Sequence, residues 1–147
     1  MRVIVQRSLL SDVKINNKIN GKIDKGYVLL VGFTIGDNIE TIKKMVNKII
    51  NLRIFEDENE KMNLDIKSIN GKILSISQFT LYAKLNGRRP SFTDALNYSD
   101  ASLLYDMFNE ELRKSGIIVE TGIFGEDMKV SIINDGPVTI IIDSGDF

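Results

Sequence analysis

The sequence contains no cysteine and no histidine among its 147 residues. Without cysteine, the chain has no thiolate nucleophile, no disulfide and no zinc–thiolate site. Without histidine, it has no Ser-His-Asp triad, and the usual imidazole general base is missing. An enzyme with this composition must use carboxylates, hydroxyls, amides, backbone N–H groups or the substrate itself. We expect neither a metal nor a cofactor.

The sequence also lacks a basic excess and a long apolar run. Its 19 basic and 20 acidic residues give a formal net charge of -1. A protein that coats nucleic acid needs a positive surplus to neutralise phosphates, so any nucleic-acid contact here should be a local patch. No apolar stretch approaches the roughly 18 residues that a membrane span needs. The alternating start at residues 1–7 has no signal-peptide pattern. We expect a cytoplasmic protein without membrane contact, folded as one domain over residues 1–147.

Apolar periodicity predicts many strands joined by short turns. The strand patterns cover residues 2–7, 13–15, 27–33, 72–83, 117–121, 128–134 and 138–142. The continuous apolar run at 27–33 predicts a strand buried on both faces. Turn signals lie at Asn16-Asn17, Asn20-Gly21 and Asp135-Gly136, and Asn70-Gly71 predicts a hairpin. The polar stretch 57–63 is typical of a loop, and the acidic residues Asp57, Glu58 and Glu60 are expected to be solvated.

Two helices are predicted between these strands. The first has Asp37 as its N-cap and ends near Leu52. The second begins near Ser99 and ends at Gly116, a residue type that suits a helix C-terminus. The buried stripe of the second helix comprises Leu103, Leu104, Met107, Phe108 and Leu112. Together these elements predict an α+β domain, a curved sheet or barrel with two helices packed outside.

Four segments could carry chemistry. Residues 77–81 place two hydroxyls and an amide in an apolar strand, where they need partners if buried. If Ser77, Gln78 and Thr80 converge on one ligand, the strand must bulge or end there, because alternate side chains point to opposite faces. Spacing alone favours an ordinary half-exposed strand.

The other three segments have equally plain alternatives. Pro137, between two apolar strands, must lie at a turn, an edge or a bulge, and a simple Gly-Pro turn accounts for it. A basic loop with Lys84, Arg88 and Arg89 could hold phosphates, although a solvated loop is the commoner case. The Gly-rich segment 122–128 permits close approach of a ligand to the backbone, but a plain turn explains it equally well.

The combination of segments is far more specific than any one of them. Residues 77–81 match SQFTL and residues 134–139 match NxGPVT, the two signature motifs of the D-aminoacyl-tRNA deacylase family, also known as D-tyrosyl-tRNA deacylases. Further stretches that resemble this family are 1–7, 52–55, 61–63, 87–92 and 121–125. The resemblance covers essentially the whole chain in the right order.

The resemblance implies a compact β-barrel-like domain that forms a homodimer. It implies that the Gly136-Pro137 peptide is cis and enters the partner subunit's pocket as a chiral filter, which blocks L-aminoacyl groups. Arg7 matches an arginine that helps to fix this Gly-Pro loop. The implied substrate is the tRNA 3′ end that carries a D-amino acid. Glycine has no side chain to reject, so glycyl-tRNA is expected to be a substrate as well.

The resemblance also implies that Ser77, Gln78 and the Phe79 backbone lie next to the aminoacyl ester. Thr80 has been considered as a nucleophile in such enzymes, but without histidine nothing obvious would deprotonate it. The alternative is that the ribose 2′-OH orients a water while the Phe79 N–H holds the oxyanion.

On the other wall of this implied pocket, Met128 and the loop with Gly125 are expected to cradle the terminal adenine. Glu126 stands where the family commonly has alanine.

Three other readings remain open. One is a non-catalytic RNA- or DNA-binding module, which near-zero net charge disfavours as a general coating protein. A second is a related editing domain that removes a misattached L-amino acid, although such domains lack the GPVT signature. A third is a purely structural dimer, which would leave the polar residues 77–80 unexplained.

Overall fold

The computed structural model describes residues 1–147 as an α+β domain with two helices and open curved sheets. The α+β class is confirmed, but the sheets do not close into a barrel. The helices are α1 (Ile39–Ile50) and α2 (Tyr98–Lys114). The strands are β1 (Arg2–Ser8), β2 (Ser11–Ile15), β3 (Lys18–Ile23), β4 (Gly26–Gly32), β5 (Phe55–Glu56), β6 (Met62–Leu64), β7 (Lys72–Ser77), β8 (Val119–Thr121), β9 (Lys129–Ser131) and β10 (Asn134–Asp143). Neither helix has the length and apolar character that a membrane crossing requires.

The main sheet has five strands in the order β10-β1-β4-β7-β8. β1 is antiparallel to both of its neighbours, whereas β4, β7 and β8 run parallel. A second sheet has the order β3-β2-β9, and β5 and β6 form a small antiparallel pair. Because β4 and β7 are parallel, their carboxyl ends lie at the same edge of the main sheet.

The core lies on both faces of the main sheet. On one face, Tyr27, Leu29 and Val31 of β4 pack with apolar residues of α1 and α2 in the larger core cluster. On the other face, Val28 joins a smaller cluster with residues of β2, β3 and β7. The prediction that this strand is buried on both faces is therefore confirmed. Because successive side chains of a strand point to opposite faces, the continuous apolar run of β4 contacts both the helices and the smaller sheet.

The helix boundaries differ from prediction by one residue at each start. The N-cap of α1 is Asn38, whose side-chain oxygen accepts hydrogen bonds from the N–H groups of Glu40 and Thr41. The prediction of Asp37 as the cap is wrong, because its carboxylate accepts instead from the Thr34 N–H at 2.7 Å. The N-cap of α2 is Asn97, and Gly116 follows the helix with a φ of 87°, as suits a glycine at a helix C-terminus.

The predicted buried stripe of α2 is only partly correct. Phe108 and Leu112 are buried, but Leu103 is 61% exposed. Ala101 and Tyr105 take the place of Leu103 in the core. Apolar spacing alone does not separate these two stripes, because the two sets lie on adjacent sides of the same helix.

Several predicted turns are wrong. Asn70-Gly71 is not a hairpin turn, since β7 after it pairs in parallel with β4. Asn20-Gly21 lies inside β3, where a Cβ at Gly21 would be 2.9 Å from the Thr121 carbonyl oxygen. Asp135-Gly136 lies inside β10. The predicted long strand at 72–83 ends at Ser77, and Phe79–Tyr82 forms a 3₁₀ turn.

Candidate active site

The polar segment after β7 leaves the sheet at Ser77. The N–H of Gln78 donates to the Val31 carbonyl at 2.7 Å, which is the last backbone hydrogen bond of this segment to β4. The chain then enters the 3₁₀ turn Phe79–Tyr82, in which Phe79 and Thr80 are exposed. The strand thus ends where its polar residues cluster, so the ordinary continuous strand is excluded.

The end of β7 and the start of the 3₁₀ turn form one wall of a cavity of about 530 Å³, called the main pocket below. Ser77, Gln78 and Phe79 line one side, and Gly125 and Met128 line the other. The structure therefore brings together two segments that are about 50 residues apart in the sequence. The main pocket also has an apolar lining from Ile76, Leu96, Ala101, Phe124 and Val130.

Thr80 is not among the lining residues of the main pocket. Its hydroxyl accepts a short hydrogen bond from the Gln78 side-chain amide. The titratable groups that do line the pocket are Tyr98, Glu126 and Asp127. Asp127 pairs with Lys129 at 2.8 Å, whereas Glu126 is exposed and makes no ion pair.

Three aromatic side chains line the main pocket: Phe79, Tyr98 and Phe124. Tyr98 and Phe124 meet edge to face with centroids 5.1 Å apart, and Phe79 meets Phe92 at 4.9 Å. Tyr98 is 67% exposed although it lies against the pocket. Such rings offer flat surfaces on which nucleobases stack. Sequence reasoning missed Tyr98, because it lies at the start of a helix rather than in a recognisable motif.

Gly125 is required by both backbone conformation and space. Its φ is +82°, a region that L side chains rarely adopt. A Cβ at this position would be 2.5 Å from the Tyr98 hydroxyl oxygen. Gly125 therefore lets Tyr98 and the loop approach each other at the pocket wall.

Gly136 and Pro137 lie away from the main pocket of their own chain. Both are exposed, and neither lines the pocket. The peptide bond between them is cis. The Asn134 side chain spans the pair, since its Oδ1 accepts from the Val138 N–H at 3.3 Å and its Nδ2 donates to the Thr139 hydroxyl at 2.9 Å.

Arg7 is the buried support of this Gly-Pro segment. Only 6% of it is exposed. Its Nη1 donates to the Ile54 carbonyl at 2.8 Å, and its Nε donates to the Asp135 carbonyl at 3.2 Å. It also pairs with the Asp135 carboxylate at 3.3 Å. Arg7 thus links β1 to Ile54, the residue before β5, and to β10 immediately before Gly136.

The basic loop is exposed and lies outside the pocket lining. Lys84 pairs with Asp94 at 2.8 Å and is bridged through its backbone to Ser91. Arg88 and Arg89 are exposed and form no ion pair. The two arginines are therefore available to an external anion, while the charge of Lys84 is already compensated.

The acidic side chains outside the main pocket form no cluster that could bind a metal ion. The Asp57 carboxylate accepts hydrogen bonds from the N–H groups of Lys61 and Asn59, which lower its pKa below the ordinary value. Asp57 thus closes the turn between β5 and β6, a structural role that spacing did not reveal.

Comparison with known proteins assigns the family. A sequence model of the D-Tyr-tRNA(Tyr) deacylase family matches residues 4–143. The chain belongs to this family, whose members are hydrolases that act on D-aminoacyl-tRNA. It is 53% identical over 145 residues to a D-aminoacyl-tRNA deacylase of Clostridium perfringens (strain SM101 / Type A), with 98% of this chain and 97% of the relative covered. A Listeria monocytogenes serotype 4a (strain HCC23) protein of the same name is 52% identical, with 98% and 96% covered.

Two solved structures share the fold. One, described as c-Myc DNA Unwinding Element Binding Protein, has a TM-score of 0.93 and 37% identity, with 97% of this chain and 98% of that chain covered. The other, described as a probable eukaryotic D-amino acid tRNA deacylase, has a TM-score of 0.83 and 19% identity, with 96% and 97% covered. The second likeness supports the fold alone.

Proposed function

We propose that this chain hydrolyses the ester bond of D-aminoacyl-tRNA, releasing a free D-amino acid and tRNA, and rejects L-aminoacyl-tRNA. The observation that carries this proposal is the main pocket, in which the turn at Gln78 and Phe79 lies opposite the loop at Gly125 and Met128. The first wall suits the ester, and the second suits the terminal adenine. Because the substrate is a charged tRNA, we place the activity in the cytoplasm.

The adenine is proposed to lie against the wall of the main pocket that Gly125 and Met128 form. The polarisable side chain of Met128 is half-buried and packs against the smaller core cluster. Such a thioether contacts aromatic faces favourably. Gly125 admits the Tyr98 ring to this wall, since a Cβ there would be 2.5 Å from the Tyr98 hydroxyl oxygen.

The proposed mechanism is assisted by the RNA. Phe79 is the first residue of the 3₁₀ turn, so its N–H has no acceptor within that turn and can hold the developing oxyanion. The ribose 2′-OH orients or activates the attacking water. Thr80 is disfavoured as the nucleophile because its hydroxyl is engaged by Gln78 and lies outside the pocket lining.

A tRNA analogue and two variants distinguish the RNA-assisted mechanism from a threonine nucleophile. A tRNA with a terminal 2′-deoxyadenosine should be hydrolysed far more slowly than the natural form, and hydrolysis at full rate would contradict the proposal. Thr80→Ala should retain most of kcat. Loss of all activity with intact tRNA binding would favour the threonine nucleophile instead. Glu126→Gln is the matched test of the unpaired carboxylate at the pocket and should retain kcat.

Chiral selection is proposed to come from Gly136-Pro137 of a second subunit. In its own chain this pair is exposed and does not line the main pocket, so it can act there only across a dimer interface. The edge strand β10 that carries the pair also exposes Ile141 to 65%, next to Ile4 of β1 in the register. A rigid pair in the partner's pocket would exclude an L side chain. A glycyl group would pass, so glycyl-tRNA is proposed as a second substrate.

Mixed dimers test this arrangement. One subunit carries Pro137→Ala, and the other carries pocket changes that abolish its own hydrolysis. If the filter acts across the interface, mixing the subunits restores D-selective release, because the intact pocket then receives the intact Gly136-Pro137 pair. Selectivity that never returns, or a monomer in light scattering, would contradict the cross-subunit filter.

The decisive assay for function compares D-tyrosyl-tRNA, L-tyrosyl-tRNA and glycyl-tRNA as substrates, with free amino acid as the readout. We expect release from the first and third and retention of the second. A DNA-binding module is the second candidate, since one structural relative is described as binding a DNA unwinding element. Binding of nucleic acid without D-selective release would support that candidate and overturn the hydrolase.

A further inference from the structure

The 3₁₀ turn beside the pocket has little packing of its own. None of its residues Phe79–Tyr82 is buried. Within the turn, the Leu81 N–H donates to the Gln78 carbonyl at 3.3 Å, a long hydrogen bond. A backbone donor such as the Phe79 N–H is effective only when the turn that carries it is held in place.

Arg2 supplies the one hydrogen bond from a side chain outside the turn to the backbone of residues 78–82. Its Nη1 donates to the Leu81 carbonyl at 2.9 Å. Its guanidinium also lies over the Tyr82 ring, 5.0 Å from the centroid. Arg2 therefore contacts the last two residues of the turn by two different interactions.

Asp143 orients Arg2. Its Oδ2 accepts from Arg2 Nε at 2.8 Å and lies 2.7 Å from Nη2. Burial would raise the pKa of Asp143, but hydrogen bonds from the Gly145 N–H and Arg2 outweigh it and hold that pKa below its ordinary value. The carboxylate thus stays ionised and fixes the guanidinium plane through charge-assisted hydrogen bonds.

The same pair joins the two functional strands. Arg2 pairs in the backbone register with Asp143 at the end of β10, the strand that carries Gly136 and Pro137. It pairs on its other side with Gly32, where a Cβ would be 3.0 Å from the Gln78 carbonyl oxygen. The turn therefore rests on the backbone of β4 while Arg2 holds its far end.

We infer that Arg2, oriented by Asp143, is a positioning residue that holds the turn with the Phe79 N–H against the main pocket. This inference rests on the proposed hydrolysis at that pocket. Arg2 touches neither the pocket lining nor the reacting atoms, so its effect passes through the Leu81 carbonyl and the Tyr82 ring. Losing it should reduce transition-state stabilisation and leave ground-state binding of tRNA largely intact.

The test is Arg2→Met, which keeps the length of the side chain and removes its donors. We expect kcat for D-aminoacyl-tRNA to fall about ten- to hundredfold with KM changed by less than about twofold. Arg113→Met is the matched control. Arg113 also bonds a carboxylate and a carbonyl, Glu110 Oε1 at 2.7 Å and Val119 O at 3.1 Å, and its side chain is 41% exposed against 38% for Arg2.

The control variant should keep wild-type kcat. If Arg2→Met retains wild-type kcat, or if both variants lose kcat equally, the inference is wrong. A change confined to KM also contradicts it. If Arg2→Met does not fold, Asp143→Asn carries the same prediction with a smaller loss, about three- to tenfold in kcat. Wild-type protein without D-selective release would instead refute the proposed function, so the two failures are distinguishable.

Discussion

Arg7 in β1 donates from Nε to the carbonyl oxygen of Asp135, 3.2 Å away, and Asp135 immediately precedes Gly136. The contact joins a residue near the start of the chain to a segment 128 positions later. Because only 6% of Arg7 is exposed, its hydrogen bonds act in a medium of low dielectric, where removing a donor is costly.

Arg7→Met should weaken selection before it abolishes hydrolysis. The segment at Gly136 loses its buried support, so L-aminoacyl groups should enter more easily and the ratio of D- to L-hydrolysis should fall at least tenfold. Unfolding free energy should also fall by about 1–3 kcal/mol, because the Ile54 carbonyl loses its buried donor. Parallel assays with D- and L-tyrosyl-tRNA and a urea titration measure both effects. Unchanged selectivity at lower stability would show that Arg7 serves the fold alone.

Arg88→Ala and Arg89→Ala should raise KM and reduce its salt dependence. Both arginines are exposed without ion pairs, so each can contact a tRNA phosphate. Each lost phosphate contact lowers the slope of log affinity against log salt by about 0.7–0.9. Lys84→Ala is the control, because Asp94 already compensates its charge. KM measured across a series of NaCl concentrations distinguishes them, and identical slopes for all variants would exclude this loop from tRNA binding.

Gly125→Ala should impair both the pocket and the fold. The left-handed backbone costs an alanine about 1–2 kcal/mol, and the new Cβ would meet the Tyr98 ring. The double change with Tyr98→Ala relieves the contact but leaves the backbone strain. We therefore expect the double variant to recover little of the lost stability and to have a raised KM, because the Tyr98 ring that lines the pocket is also lost. Full recovery of stability in thermal unfolding would show that the contact, rather than φ, is the cause.

Tyr27→Phe should give a pH-dependent change in stability. The Tyr27 hydroxyl donates to the Leu52 carbonyl at 3.1 Å, so its removal should cost about 1 kcal/mol at pH 7. Burial raises the pKa of Tyr27 well above its ordinary value. The unfolded chain therefore loses this proton first as pH rises above about 10, and the wild type loses stability that the variant keeps. The deficit of Tyr27→Phe should shrink between pH 9 and 11 in urea unfolding, and a constant deficit would contradict the buried hydroxyl.

Asn38→Ala should destabilise the fold by about 1 kcal/mol, since its side chain caps two N–H groups of α1. Activity at 25 °C should not change, because α1 does not line the main pocket. Asp37→Asn is an informative companion, as Asp37 accepts from the Thr34 N–H instead of capping the helix. Equal unfolding free energies of wild type and Asn38→Ala in a urea titration would show that the Asn38 cap does not stabilise α1.

Sequence patterns predicted local structure where one periodicity dominated. The continuous apolar run at residues 27–33 predicted β4, because a strand with apolar side chains on both faces must be covered on both faces. Patterns do not predict the direction in which strands pair, so the hairpin prediction at Asn70-Gly71 is wrong: β7 pairs in parallel with β4. That direction depends on contacts between distant strands, which short-range turn signals do not encode.

The candidate site was predicted by resemblance rather than by physics. The resemblance named Ser77 and Met128, and both line the main pocket. Tyr98 and Arg2 were not found, since an exposed tyrosine at a helix start and an arginine at a strand start have no distinctive spacing. Their roles depend on which residues the fold brings next to them, Phe124 in one case and Leu81 in the other.

The Ser75 carbonyl, one residue before the pocket residue Ile76, accepts from both the Tyr105 hydroxyl at 2.7 Å and the Gly122 N–H at 3.3 Å. One oxygen thereby sets the distance between α2 and the loop that begins at Gly122. For directed evolution of substrate range, positions that can vary independently are therefore distinct from positions that hold α2 and the loop together. Libraries at Tyr98 and Glu126 alter the opening while the scaffold is preserved, whereas diversity at Tyr105 would move the loop and the helix together.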